Sequence, residues 1–78
     1  MPRYFFHLYN DEVVMDDEGR ELPDLAAAYA NATSEARQMM TETMIHGRIN
    51  FSHRIDVADK AGAVLATVTF RDAVTVEG

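Results

Sequence analysis

Eight residues near the N-terminus, Arg3 to Asn10, read R-Y-F-F-H-L-Y-N. Half of them are Tyr or Phe, residues whose flat rings pack well on a pleated surface, so the segment is read as a strand. Alternation puts Tyr4, Phe6 and Leu8 on one face and Phe5, His7 and Tyr9 on the other. Both faces are partly apolar. A strand of that kind loses stability at a sheet edge and is expected in the middle of the sheet, with neighbours on both sides.

The rest of the chain supplies those neighbours. Asn10-Asp11-Glu12 turns the backbone, and Val13 to Asp16 makes a short second strand. Its acidic flank, Asp16-Asp17-Glu18, suits a solvated edge that must not pair further. Gly19 breaks the strand. Pro23 fits the first helical position and Asp24 the first turn, near the positive end of the helix dipole. Leu25, Tyr29, Ala32, Ala36, Met39 or Met40, and Thr43 recur at helical spacing. With Gly47 as C-terminal cap, a helix is expected from about Asp24 to His46. Met39, Met40, Met44 and Ile45 make its last turns apolar, a cluster expected in the core, with an adaptable partner groove as the alternative.

Ser52 to Ala58 and Ala63 to Arg71 alternate as two more strands around the turn Asp59-Lys60-Ala61-Gly62. A four-residue loop would set Val57 opposite Val64, Ile55 opposite Ala66 and Arg54 opposite Thr67. A three-residue loop with a Gly62 bulge would slip the pairing by one and turn one strand over. The first register is preferred because it brings the apolar sets together. The expected fold is therefore α+β: a four-stranded antiparallel sheet, ββαββ in order 2-1-3-4, with one long helix on one face and residues 1–78 in a single domain. The face under the helix would hold Tyr4, Phe6, Leu8, Ile55, Val57, Val64, Ala66, Val68 and Phe70. The outer face would hold Phe5, His7, Tyr9, Arg54, Asp56, Leu65, Thr67 and Thr69.

At 78 residues with no cysteine, the chain must be stabilised without disulfides or thiolate metal sites. Domains this small usually gain stability by associating, so a homo-oligomer or a protein partner is expected. A net charge of −6 repels phosphate, which argues against nucleic acid and anionic membrane surfaces as partners. No apolar run approaches the roughly 20 residues of a membrane span. Met1-Pro2-Arg3 leads directly into the first strand and not into a signal peptide, and the lack of cysteine fits a reducing cytosol, so a cytoplasmic protein is expected.

The opening M-P-R-Y-F-F-H, the D-D-E-G-R-E-L-P-D-L stretch before the helix, and the late D-V-A-D-K-A-G-A-V-L-A-T-V-T-F with its closing F-R-D-A resemble one bacterial family of short proteins, a domain of unknown function. The resemblance spans nearly the whole chain and implies no activity, cofactor or site. Asn10-Asp11 stands where that family usually has Asp-Gly. A second, partial resemblance is to HicB-type antitoxins, whose helix begins with a segment similar to Glu21-Leu22-Pro23-Asp24-Leu25. It implies a protein that blocks a toxin partner.

Chemistry is sparse. Three imidazoles, His7, His46 and His53, can in principle hold zinc. His7 shares parity with Phe5 whereas His53 shares it with Ile55, so two opposite sheet faces would have to contribute, and no metal or other cofactor is expected. Ser34 and Ser52 lack the strained turn and paired base of a nucleophile. No glycine-rich phosphate loop is present. The outer face is the candidate site. Phe5, Tyr9 and Leu65 beside His7, Arg54, Asp56 and Thr67 are too apolar for an idle solvated surface and too polar for a core. On that face Arg54 and Asp56 are expected to set the register of an interface between two copies. The rival is a small ligand held by His7 and Arg54.

Overall fold

The aromatic segment lies in the middle of the sheet, as its two apolar faces require. The structure, a computed structural model, describes residues 1–78. Along the chain the elements are β1 (Arg3–Tyr9), β2 (Val13–Val14), β3 (Arg20–Glu21), α1 (Leu25–Ile45), β4 (Arg54–Ala58) and β5 (Val64–Thr69). The sheet runs β2-β1-β4-β5, with β3 also paired to β1, and every pairing is antiparallel. The class is α+β with one helix on an antiparallel sheet. The sheet has five strands where four were expected. The expected second strand is cut to two residues, and the extra strand is Arg20–Glu21, whose Glu21 side chain also lies 3.6 Å from that of Arg3 opposite it.

Between β2 and β3 the chain makes an excursion. Leu8 pairs with Val14 and Tyr4 with Arg20, so Phe5–His7 face the longer stretch Met15–Gly19. Asp16 pins this excursion. Its Oδ2 accepts the Phe6 backbone N–H at 3.0 Å, and its Oδ1 accepts those of Glu18 at 3.1 Å and Gly19 at 3.0 Å. The Asp16 backbone N–H in turn donates to His7 Nδ1 at 3.0 Å. Asp16 is thus an internal strut and not the solvated edge charge expected. Gly19 closes the excursion at φ +69°, and a Cβ there would lie 2.8 Å from the Tyr4 carbonyl oxygen. Only glycine fits both the angle and the space.

Helix α1 starts one residue later than expected. Asp24 is its N-cap, accepting the Ala27 N–H at 2.8 Å, so Pro23 lies before the helix and not in its first turn. At the other end Gly47, at φ +77°, donates to the Met44 carbonyl at 2.8 Å, and Arg48 donates to that of Thr43 at 3.1 Å, a Schellman closure. The buried stripe is Ala28, Ala32, Ala36 and Met40. Leu25, Tyr29 and Thr43, expected on it, are exposed. Small residues at a spacing of four bring the helix axis close to the sheet, and larger side chains flank the seam. Facing this stripe are Tyr4, Leu8, Ile55, Val57, Val68 and Phe70, with Phe6 and Ala66 half-buried. Ala73 closes the core beyond β5, and its carbonyl accepts from Arg37 Nε at 2.6 Å.

The second hairpin departs from the expected register. Its turn is the three-residue alternative. Asp59 N–H donates to the Ala63 carbonyl at 2.9 Å, and Gly62 takes φ +90°. Ala58 then pairs with Val64, and a bulge follows, after which Val57 pairs with Ala66, Ile55 with Val68, Asp56 with Thr67 and Arg54 with Thr69. The turn slips the pairing by one residue and the bulge at Leu65 slips it again. The net shift is two, so the face assignment survives although each individual pair differs. Val64 is the casualty. It was expected in the core and is 56% exposed.

Candidate functional site

The sheet face away from α1 carries the side chains singled out above, and the observed register arranges them in rows. His7, Asp56 and Thr67 stand opposite one another across three strands, and Tyr9, Arg54 and Thr69 form the next row. Side chains directly opposed on neighbouring strands share a face and touch. Asp56 sits at the centre and is only 7% exposed. Its Oδ1 accepts from the Thr67 hydroxyl at 2.9 Å and from Arg54 Nε at 3.3 Å. The Arg54 guanidinium carbon lies 4.0 Å over the Tyr9 ring, a cation–π contact. Tyr9, Arg54, Asp56 and Thr67 therefore form one connected, charge-neutral cluster. Arg54 and Asp56 pair with each other within the chain.

Phe5 is half-buried beside Ala58, and its ring edge packs against Gly19. His7 is half-buried and its Nδ1 accepts from Asp16, which places the ring proton on Nε2. Leu65 lies at the bulge, 42% exposed. Five of the seven candidate residues thus lie in these two rows, Phe5 stands in the next pair with Ala58, and Leu65 lies at their margin. His7 and Arg54, the pair considered for a small ligand, are both engaged in internal contacts.

The other two histidines lie elsewhere. His53 meets Phe70 edge-on with ring centroids 5.5 Å apart, and its Nε2 is 3.6 Å from Asp11. His46 ends the helix. No three His, Asp or Glu side chains gather in an arrangement that could hold a metal ion. Met40 is buried, but Met44 is exposed and Ile45 is 77% exposed. The late-helix cluster is therefore only half core. Its outer members line an open groove with Ile49 and Val74.

A larger groove, about 690 Å³, runs between α1 and the β2–β3 excursion. Its two carboxylates with displaced acidity behave oppositely. Burial works to raise the Asp16 carboxyl, but the N–H groups of Gly19, Phe6 and Glu18, with nearby His7, outweigh it and hold the group below its ordinary 3.8. Burial raises Glu35 above its ordinary 4.5, Arg20 and Asn31 pull it back, and Asp16 adds to the rise. Sequence reasoning missed this groove. Its walls come from the acidic turn and the far side of the helix, and the only signal was the four- and three-residue spacing of Glu35, Met39 and Glu42 beside the core stripe.

The sequence matches the family described as Domain of unknown function (DUF6894) over residues 3–71. The chain belongs to this family. No curated protein and no solved structure matches it. The DUF6894 match takes in β1 through β5, the Asp16 strut and the whole uncovered face, and it leaves out only the first two residues and the last seven. The DUF6894 helix start, Pro23-Asp24-Leu25, is accounted for by capping geometry. No helix of the chain is long and apolar enough to cross a membrane.

Proposed function

We propose that this chain is a cytosolic protein-interaction module that acts through contacts and not turnover, and that its uncovered sheet face joins a second copy in a homodimer. The observation that carries this reading is the neutral cluster around Asp56. Burying a lone charge at an interface costs several kcal/mol, roughly, whereas a carboxylate already held by Arg54 and Thr67 can lose water without being left unpaired. Phe5, Tyr9 and Leu65 around it supply apolar area at ~25 cal/mol per Å². The shape of the molecule supports the same reading. It is 16 Å deep along its thinnest axis, with α1 on one side of the sheet. It exposes 5279 Å², against roughly 4,800 Å² expected for a monomer of its mass.

The experiment is light scattering with thermal melting on the wild type, Tyr9→Glu and Leu65→Lys. The expected result is a dimer mass for the wild type and a monomer mass, with a lower melting temperature, for both variants. A monomeric wild type, or variants that keep the dimer mass, would overturn the reading.

A further inference from the structure

The groove between α1 and the β2–β3 excursion is on the helix side of the sheet, away from the Asp56 cluster. Its floor is apolar: Phe6, Leu8 and Met39. Its banks are acidic, with Glu35 and Glu42 on the helix and Asp17 and Glu18 on the excursion. None of these four carboxylates joins an ion pair. The fifth carboxylate, Asp16, is taken up by three backbone N–H groups, and the one guanidinium, Arg20, donates to Asn31 Oδ1 at 2.7 Å. Five carboxylates against one guanidinium give this single groove four of the chain's six net negative charges.

That combination selects an occupant. A volume near 690 Å³ lies in the range of pockets that enclose a drug-sized ligand or a few side chains. The apolar floor rewards a large aliphatic or aromatic group, and the banks reward cations on either side of it. A second copy docking groove to groove would set like charges against each other and is repelled, unlike a contact through the neutral Asp56 face. Nucleic acid is repelled for the same reason. A metal ion would leave the apolar floor unused, and no chelating group of three side chains is present. We propose that the groove is a docking site for a basic segment of a protein partner, with Arg or Lys alternating with large apolar residues, the apolar residue seated on Phe6, Leu8 and Met39 and the cations paired with Glu35, Glu42, Asp17 and Glu18.

The probe is a fluorescein-labelled peptide, Arg-Leu-Arg-Leu-Arg, titrated by anisotropy at about 10 mM ionic strength, where the Debye length is about 30 Å. Saturable binding with Kd on the order of 10–100 μM is expected. Glu35→Gln with Glu42→Gln should weaken it about tenfold or more. Asp72→Asn with Glu77→Gln makes the same change in net charge away from the groove and should leave Kd within about twofold. An Arg-Ser-Arg-Ser-Arg peptide should bind about tenfold more weakly, because its serines gain little from the floor. Thermal melting of each variant shows that it is folded. No saturation by about 1 mM overturns the proposal. So does an equal loss in the two double variants, which would make the effect one of net charge. Equal affinity for the serine peptide overturns it too, since the groove would then attract only an ion atmosphere.

Discussion

At the scale of single residues, Asp16 carries more structure than its place in an acidic turn suggests. Replacing it by Asn keeps an oxygen for Glu18 and Gly19 but turns an NH₂ group toward the Phe6 N–H, donor against donor. Asp16→Asn is expected to cost roughly 1–2 kcal/mol, measured by urea unfolding. The acid limb should change with it. A carboxylate whose folded pKa is depressed stabilises the fold above its unfolded value, and that contribution is lost as pH falls through the folded value. The wild type should therefore lose stability below the ordinary aspartate value of 3.8, and the variant should show a flatter profile there. Glu35 has the opposite sign. Its folded form holds the proton more tightly, so ionisation opposes folding, and stability rises as pH drops toward the raised value above 4.5. Glu35→Gln is expected to melt at or above the wild-type temperature at neutral pH and to lose that rise. Gly19→Ala meets both a positive φ and the Tyr4 carbonyl at 2.8 Å, and should cost about 2 kcal/mol or more in the same unfolding measurement.

At the scale of elements, α1 is closed at both ends by its own sequence. The N-cap is its one side-chain-dependent end, so Asp24→Ala should lower stability by about 1 kcal/mol, read from the urea midpoint. Much of this architecture was legible before any coordinates. The aromatic alternation of Arg3–Tyr9 and the Ile55, Val57, Ala66, Val68 pattern announce strands and their faces, because burial imposes a period of two. Ala32 and Ala36 announce the close side of the helix. What stayed hidden lacks a periodic signature. Arg20–Glu21 is too short to show alternation, and its pairing rests on backbone bonds and one exposed ion pair with Arg3. The Asp16 strut links residues ten apart through a carboxylate and a main-chain N–H, a contact that resembles any acidic turn on paper. The hydrogen bond from the Thr67 hydroxyl to Asp56 depended on a register that two irregularities jointly set. The candidate face was therefore legible as a set of residues and illegible as a network.

At the scale of the whole molecule, a thin plate with one layer over its sheet should gain stability from concentration. If two copies share the uncovered face, the melting temperature rises with protein concentration, which differential scanning fluorimetry over a hundredfold range can follow. Chain length is also a whole-molecule property, and the bulge at Leu65 bears on it. The hairpin holds one residue more than its turn requires. Removing Leu65 should leave Ala58 opposite Val64 and Val57 opposite Ala66, with every inward side chain still inward, so the shortened protein should fold. A residue added to the same strand has no such outlet, and it would send Val68 to water. The hairpin's tolerance of a change in length is thus one-sided: it has room to give up the residue at Leu65 and none to take in another.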